Sequence, residues 1–135
     1  MMSYYMANKI QNNIFLGESI LLPNDFYLGF STSSPNADGT NVIEPSTPDY
    51  ERIRLRRADD IFAQSENGIV RNETALYSVN TMSSWGELTH YCVFDAQYNG
   101  NLLFYGELSR PRIVDADMML VLPIGAISFE LGNTN

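Results

Sequence analysis

The chain has 135 residues, with sixteen acidic and eight basic side chains and a net charge of −8. This balance argues against nucleic acid as a partner, because an acidic surface repels phosphate backbones. No segment has the roughly 18 consecutive apolar residues of a membrane-spanning helix, so no membrane partner is expected. The length and a hydrophobic fraction of 44% predict a single β-sandwich domain, residues 1–135, with its own core.

The single cysteine, Cys92, excludes an internal disulfide bond, and its position between Tyr91 and Val93 is typical of a small buried hydrophobic residue. The segment Met1–Asn13 lacks the apolar stretch of a signal peptide. We therefore expect synthesis in a cytoplasm and a fold that does not depend on an oxidising compartment.

The N-terminal segment predicts one short helix. Over Tyr4–Phe15, the side chains of Met6, Ile10 and Phe15, with Ile14, fall at roughly helical spacing and form one apolar stripe. No good N-cap is evident before this segment, whereas Gly17 would end the helix.

Short segments rich in β-branched and aromatic residues follow, separated by turn signals about every ten residues. The predicted strands are Phe26–Ser31, Tyr50–Leu55, Gly68–Arg71, Ala75–Val79, Leu88–Phe94, Leu102–Leu108, Met118–Leu122 and Ala126–Leu131. No convincing second helix occurs among them. The pattern therefore predicts an all-β fold, an antiparallel and jelly-roll-like sandwich with one short N-terminal helix.

Residues 31–49 form a long polar connection with three prolines and an Asp38-Gly39 turn. Loops of this length are typically functional, interfacial or mobile. The region around Asp38 resembles a calcium-binding loop only superficially, since that pattern would require ligands at Ser34 and Pro45. No metal site is expected here.

Two of the predicted strands form a hairpin around Asn99-Gly100, a dipeptide typical of tight turns. A two-residue turn would place Phe94 opposite Tyr105, whereas a longer loop over 96–100 would shift every pair. Both strands carry apolar residues on both faces. The sequence therefore predicts either central strands that are covered on both sides or strands with one face buried by another subunit.

Basic and apolar residues alternate between positions 52 and 56. In a strand, Arg52, Arg54 and Arg56 would share one face, and Ile53 and Leu55 would face the core. Two interpretations stay open. The arginines form a solvated face paired with nearby acidic side chains, or they form a subunit contact, to which arginine is well suited.

The sequence contains no recognisable catalytic constellation. His90 is the only histidine, which excludes a histidine-rich zinc site, and its place two residues from Cys92 on one strand makes a poor nucleophile pair. Asp115 and Asp117 are typical of a turn rather than of a glycosidase acid pair. No phosphate-binding, dinucleotide-binding or serine-nucleophile motif occurs. We expect no enzyme activity, no catalytic residue, no cofactor and no metal.

The hairpin region carries a family resemblance. The run WGELTHYCVFDA at 85–96, followed by GNLLFYGEL at 100–108, resembles the motifs of small tailed-phage virion proteins, which are variously tail-fibre, minor tail or head-decoration proteins. The opening is similar too, with ANKI at 7–10 and FYLGFS at 26–31, and so is the ending PIGAISF at 123–129. The resemblance thus spans nearly the whole chain in the same order.

The resemblance implies a non-enzymatic phage or prophage structural protein, made in the bacterial host cytoplasm and located in the virion. It implies partners among other virion proteins and self-association, as a trimer or another closed ring. From residue type alone, the expected interface residues are Trp85, Tyr105, Arg52, Arg54 and Arg56.

An alternative function is a carbohydrate-binding module for receptor recognition, with a host glycan as the partner. Its signature would be exposed aromatic side chains, for which the candidates are Tyr98 near the tip of the hairpin loop and Trp85.

Overall fold

The computed structural model describes residues 1–130, which form one α-helix and a series of short antiparallel strands. The elements are α1 (Tyr4–Leu16), β1 (Asp25–Ser31), β2 (Ile53–Arg56), β3 (Ile69–Arg71), β4 (Leu76–Tyr77), β5 (Gly86–Phe94), β6 (Leu102–Val114), β7 (Val121–Leu122) and β8 (Ser128–Glu130), with a 3₁₀ turn at Arg57–Asp59. The predicted all-β fold with one short N-terminal helix is confirmed. Leu131, the end of the last predicted strand, lies outside the described residues.

Helix α1 has a signal at each end. The Ser3 hydroxyl oxygen accepts a hydrogen bond from the Met6 backbone N–H at 3.1 Å, which makes Ser3 an N-cap. Gly17 ends the helix in the left-handed conformation, with φ of +72°. The prediction of the C-terminal end is confirmed, whereas the prediction that α1 lacks a good N-cap is wrong, because Ser3 supplies one.

The strands form a main sheet with the order β2-β1-β5-β6 and two small pairs, β3-β8 and β4-β7. The core lies between one face of the main sheet and the small pairs. Leu28 and Phe30 of β1 pack there with Leu76 of β4 and Leu122 of β7. Burial of these apolar side chains is the main force that joins the sheets.

The hairpin of β5 and β6 has the longer of the two predicted loops. Phe94 pairs with Leu102 and Cys92 with Tyr105, so the loop spans 95–101 and the two-residue alternative is wrong. The Asp95 carboxylate accepts a hydrogen bond from the Asn101 backbone N–H at 2.7 Å, which closes this loop from within.

Strand β6 continues beyond the predicted end at Leu108. It reaches Val114 through a bulge. Between the pairs Leu88–Arg112 and His90–Glu107, β6 contains more residues than β5, so the extra residues of β6 bulge out of the ladder. Such a bulge accommodates Pro111, which has no backbone N–H for the ladder.

Both faces of β5 are covered by the chain itself. Opposite the main core, Cys92, Phe94 and Tyr105 form a second buried cluster, against which Ala37 and Val42 of the 31–49 loop pack. The prediction of a central strand covered on both sides is therefore confirmed for β5, whereas β6 lies at the edge of the main sheet. Within residues 1–130, no helix has the length and apolar character needed to cross a membrane.

Candidate functional site

The Arg52 side chain connects three parts of the chain next to the hairpin loop. Its Nη2 donates to Glu44 Oε1 at 2.7 Å and its Nε donates to Glu44 Oε2 at 3.2 Å. Its Nη1 donates to the carbonyl oxygens of Ala96 and Asn99, each at 2.8 Å. The guanidinium carbon lies 3.6 Å from the ring centre of Phe94. With a side chain only 8% exposed, Arg52 is committed to contacts within the chain.

Tyr50 extends this network into the sheet. Its hydroxyl donates to Glu44 Oε2 at 2.5 Å and accepts a hydrogen bond from the Phe30 backbone N–H at 3.0 Å. Burial, together with the Glu44 carboxylate, raises the pKa of Tyr50, so the phenol remains a neutral donor. Gly29 leaves the space for these groups, since a Cβ atom there would lie 2.7 Å from Glu44 Oε2.

A polar groove of about 360 Å³ lies on the outside of this network. Its polar and aromatic lining comes from Glu44, Tyr50, Glu51, Arg52, Gln97, Tyr98 and Asn99. The Tyr98 residue is 74% exposed. The groove thus combines an exposed aromatic ring with carboxylate and amide groups, an arrangement suited to a ligand with both hydroxyl groups and C–H faces.

The three arginines of the predicted row have different environments. Arg52 belongs to the network, whereas the Arg54 Nε donates to Asp25 Oδ2 at 2.8 Å from a largely exposed position. Arg56 is exposed. As predicted, Leu55 of the same strand is buried in the core, and Ile53 packs against the core.

Trp85 and Tyr105 are both buried in the described chain. Trp85 is 4% exposed, and its ring lies edge-on to Tyr50 with the ring centres 5.1 Å apart. Tyr105 belongs to the second buried cluster with Cys92 and Phe94. The structure therefore does not bring Trp85, Tyr105 and the arginines together on one surface, and Trp85 does not line the groove next to Tyr98.

His90 and Cys92 do not form a reactive pair. The His90 Nδ1 lies 2.8 Å from the Thr89 hydroxyl oxygen. Cys92 is fully buried, and burial raises the pKa of its thiol to about 12. The prediction of Cys92 as a buried hydrophobic residue is confirmed. Among residues 1–130, no cluster of three histidine, cysteine, aspartate or glutamate side chains could hold a metal ion.

Comparison with protein families gives a match over residues 1–130 to the family described as podophage GP4 fiber I protein gp80. The chain belongs to this family. Its members are phage fibre proteins by description, so the resemblance to phage virion structural proteins is confirmed, and the family implies a place in the virion among other virion components. No match was found among curated proteins.

This gp80-family chain also has an exposed apolar feature that the sequence analysis missed. Ile14, Phe15 and Leu16 at the end of α1 and Leu21 in the following segment are each 64–79% exposed, and we call residues 14–21 the helix tip. The sequence contained a signal, because three consecutive apolar residues cannot all lie on one face of a helix. Only Met6 of α1 is buried.

Proposed function

We propose that this gp80-family protein is a non-enzymatic component of a phage or prophage fibre, which self-associates and docks on other virion proteins. The observation that carries the proposal is the family match over residues 1–130. In this proposal the chain acts as one β-sandwich domain, is made in the bacterial host cytoplasm and works in the virion. A trimer or another closed ring is the expected symmetry of a homo-oligomer.

The surface of the chain supports a role in assembly. Exposed apolar side chains at the helix tip offer area that a partner would remove from water. The exposed Arg54 and Arg56 side chains are suited to the polar rim of such a contact. Trp85 and Tyr105, which were also expected in the interface, are buried within the described chain and offer a partner little surface.

Immunogold labelling of purified phage particles tests the place of the protein in the virion. We expect gold particles on fibres. An antibody against the major capsid protein is the control, because it shows that antibodies can reach and label the phage particles. The proposal would be contradicted if the capsids are labelled but the particles carry no gold for this protein. The absence of the protein from the mass spectra of the same particles would support that conclusion.

A second candidate function, recognition of a host glycan, is favoured by the polar groove next to Tyr98. The exposed Tyr98 ring could stack on the C–H face of a sugar, while the Glu51 carboxylate and the Gln97 amide bond its hydroxyl groups. We expect a glycan array to give ligands whose binding is lost in Tyr98→Ser. Binding should persist in Tyr77→Ser, which removes another exposed tyrosine. An array without ligands, or equal binding by both variants, would exclude this function for the groove.

A further inference from the structure

The polar groove next to Tyr98 contains a negative charge that the chain itself does not compensate. Two carboxylates line the groove, and one of them, Glu44, is paired with Arg52 at 2.7 Å. The other, Glu51, is exposed. Neither of the two salt bridges found within residues 1–130 includes Glu51. A ligand that enters the groove therefore meets an unpaired carboxylate beside an exposed aromatic ring.

Arg52 is the one basic residue in the lining of the groove, and it is already engaged by the chain. Its Nε and Nη2 donate to the Glu44 carboxylate, and its Nη1 donates to the carbonyl oxygens of Ala96 and Asn99. The guanidinium also stacks on Phe94, and the side chain is only 8% exposed. A sugar with a carboxylate or phosphate group would find no available cation here, and the net charge of −8 opposes its approach.

We infer that the groove binds a sugar with a free amino group, whose ammonium form pairs with the Glu51 carboxylate while the sugar packs on the Tyr98 ring. The inference rests on the second candidate function, glycan recognition, and narrows its ligand to one chemical class. A cation is attracted both to a carboxylate and to the face of an aromatic ring. Because a charge-assisted hydrogen bond is about twice as strong as a neutral one, an ammonium group suits Glu51 better than a hydroxyl group does.

The hydrogen-bonding groups of the groove also favour a ligand that donates. The Gln97 Nε2 donates to the Arg52 carbonyl oxygen at 3.4 Å, and the Gln97 Oε1 can accept a hydrogen bond from the ligand. The Tyr50 hydroxyl donates to Glu44 and so does not offer its proton to a ligand. An ammonium group donates three hydrogen bonds and accepts none, which matches a wall of acceptors. The sugar hydroxyl groups can also donate to these acceptors.

An array of bacterial surface glycans, probed with the full chain before and after treatment with acetic anhydride, tests the ligand class. The reagent converts free amino groups into neutral N-acetyl groups and leaves the rest of each glycan in place, so every glycan is its own control. We expect the protein to bind glycans with free amino groups. Titration of the ligands found should show affinity that falls by about threefold or more on acetylation, as expected for a partly exposed ion pair.

Three variants at exposed positions separate the charge of the groove from its aromatic ring. Glu51→Gln should weaken binding of the amino glycans by about threefold or more and leave binding of their acetylated forms within about twofold. Tyr98→Ser should weaken binding of both forms, because the ring packs on the sugar whatever its charge. Glu87→Gln removes an acidic side chain outside the groove and should bind as wild type does. Circular dichroism should show an unchanged fold in all three.

The possible failures are distinguishable. Binding that depends on Tyr98 but is equal before and after acetylation, is directed at acidic glycans, or is undiminished in Glu51→Gln would overturn the inference and leave glycan recognition by the groove intact. An array without ligands, or binding that persists in Tyr98→Ser, would overturn both the inference and the second candidate function.

Discussion

The Arg52 guanidinium stacks on Phe94, with its central carbon 3.6 Å from the ring centre, while its edge binds Glu44 through two hydrogen bonds. Arg52 thereby links the 31–49 loop, which contributes Glu44, to the main sheet, which contributes Phe94. Its hydrogen bonds to Ala96 and Asn99 also fix the hairpin loop. The loop over the outer face of the sheet is therefore held by a specific side-chain network as well as by apolar contact.

Replacement of Arg52 by methionine should destabilise the fold. Methionine keeps an apolar side chain of similar length but leaves Glu44 without its cationic partner at a largely buried position. The expected loss in the free energy of unfolding is about 2–4 kcal/mol, measured by urea denaturation. Arg56→Met, at an exposed position at the end of β2, is the control and should change stability by less than about 0.5 kcal/mol. Equal stability of the two variants would exclude a structural role of the network.

Gly29→Ala should be destabilising because of the atoms that the new methyl group would meet. A Cβ atom at this position would lie 2.7 Å from Glu44 Oε2 and 2.9 Å from the Tyr50 hydroxyl oxygen. We expect a loss of about 1–3 kcal/mol. A double-mutant cycle with Tyr50→Phe provides the control, because removal of the hydroxyl relieves part of the clash. The combined loss should be smaller than the sum of the two single losses, and strict additivity would contradict this explanation.

The ionised Asp49 carboxylate should stabilise the fold, and this stabilisation should be lost when the carboxylate is protonated at low pH. Hydrogen bonds from the Ser83 hydroxyl and the Met82 backbone N–H hold the pKa of Asp49 below its usual value of 3.8. A depressed pKa in the folded state means a stabilising effect that is complete above pH 3.8 and declines as the pH falls below it.

Urea denaturation of wild type and Asp49→Asn across this range checks the prediction. The variant should be less stable than wild type at pH 7, and the difference should narrow below pH 3.8. Glu87→Gln, at an exposed position, is the control and should match wild type at pH 7 within about 0.5 kcal/mol. A difference that stays constant from pH 7 to pH 2.5 would show that the charge of Asp49 is not involved.

The Cys92 thiol should be unreactive in the folded protein. It is fully buried, and burial raises its pKa to about 12, so little thiolate forms at pH 8. Ellman's reagent should detect no thiol before denaturation and one thiol per chain in guanidinium chloride. A Ser84→Cys variant places a thiol at an exposed position and should react at once in the folded state. Rapid reaction of native Cys92 would mean that the covering loop opens readily.

Local patterns were sufficient to predict many of the elements. The alternation of Ile53 and Leu55 with arginine predicted a strand and the side of it that faces the core. Both side chains do pack in or against the core. Gly17 predicted the end of α1, because a glycine in the left-handed conformation commonly ends a helix. The central hairpin was predictable for the same reason, since its strands and turn residues are adjacent in sequence.

Contacts between distant parts of the chain were not predictable in this way. The partners of Arg52 lie at positions 44, 96 and 99, and no local periodicity connects them. The covering role of the 31–49 loop was missed because it depends on only two apolar residues, Ala37 and Val42, in a polar segment. The exposure of the helix tip was missed because an apolar stripe does not show which of its residues find a packing partner in the fold.

The solution mass of the purified chain, measured by light scattering at moderate and high salt, tests the central claim that this fibre protein self-associates. We expect one discrete oligomer at both salt concentrations, because salt screens the repulsion between copies with a charge of −8 and does not weaken an apolar contact. A clean monomer of 15.2 kDa at both salt concentrations, up to the highest protein concentration reached, would contradict it.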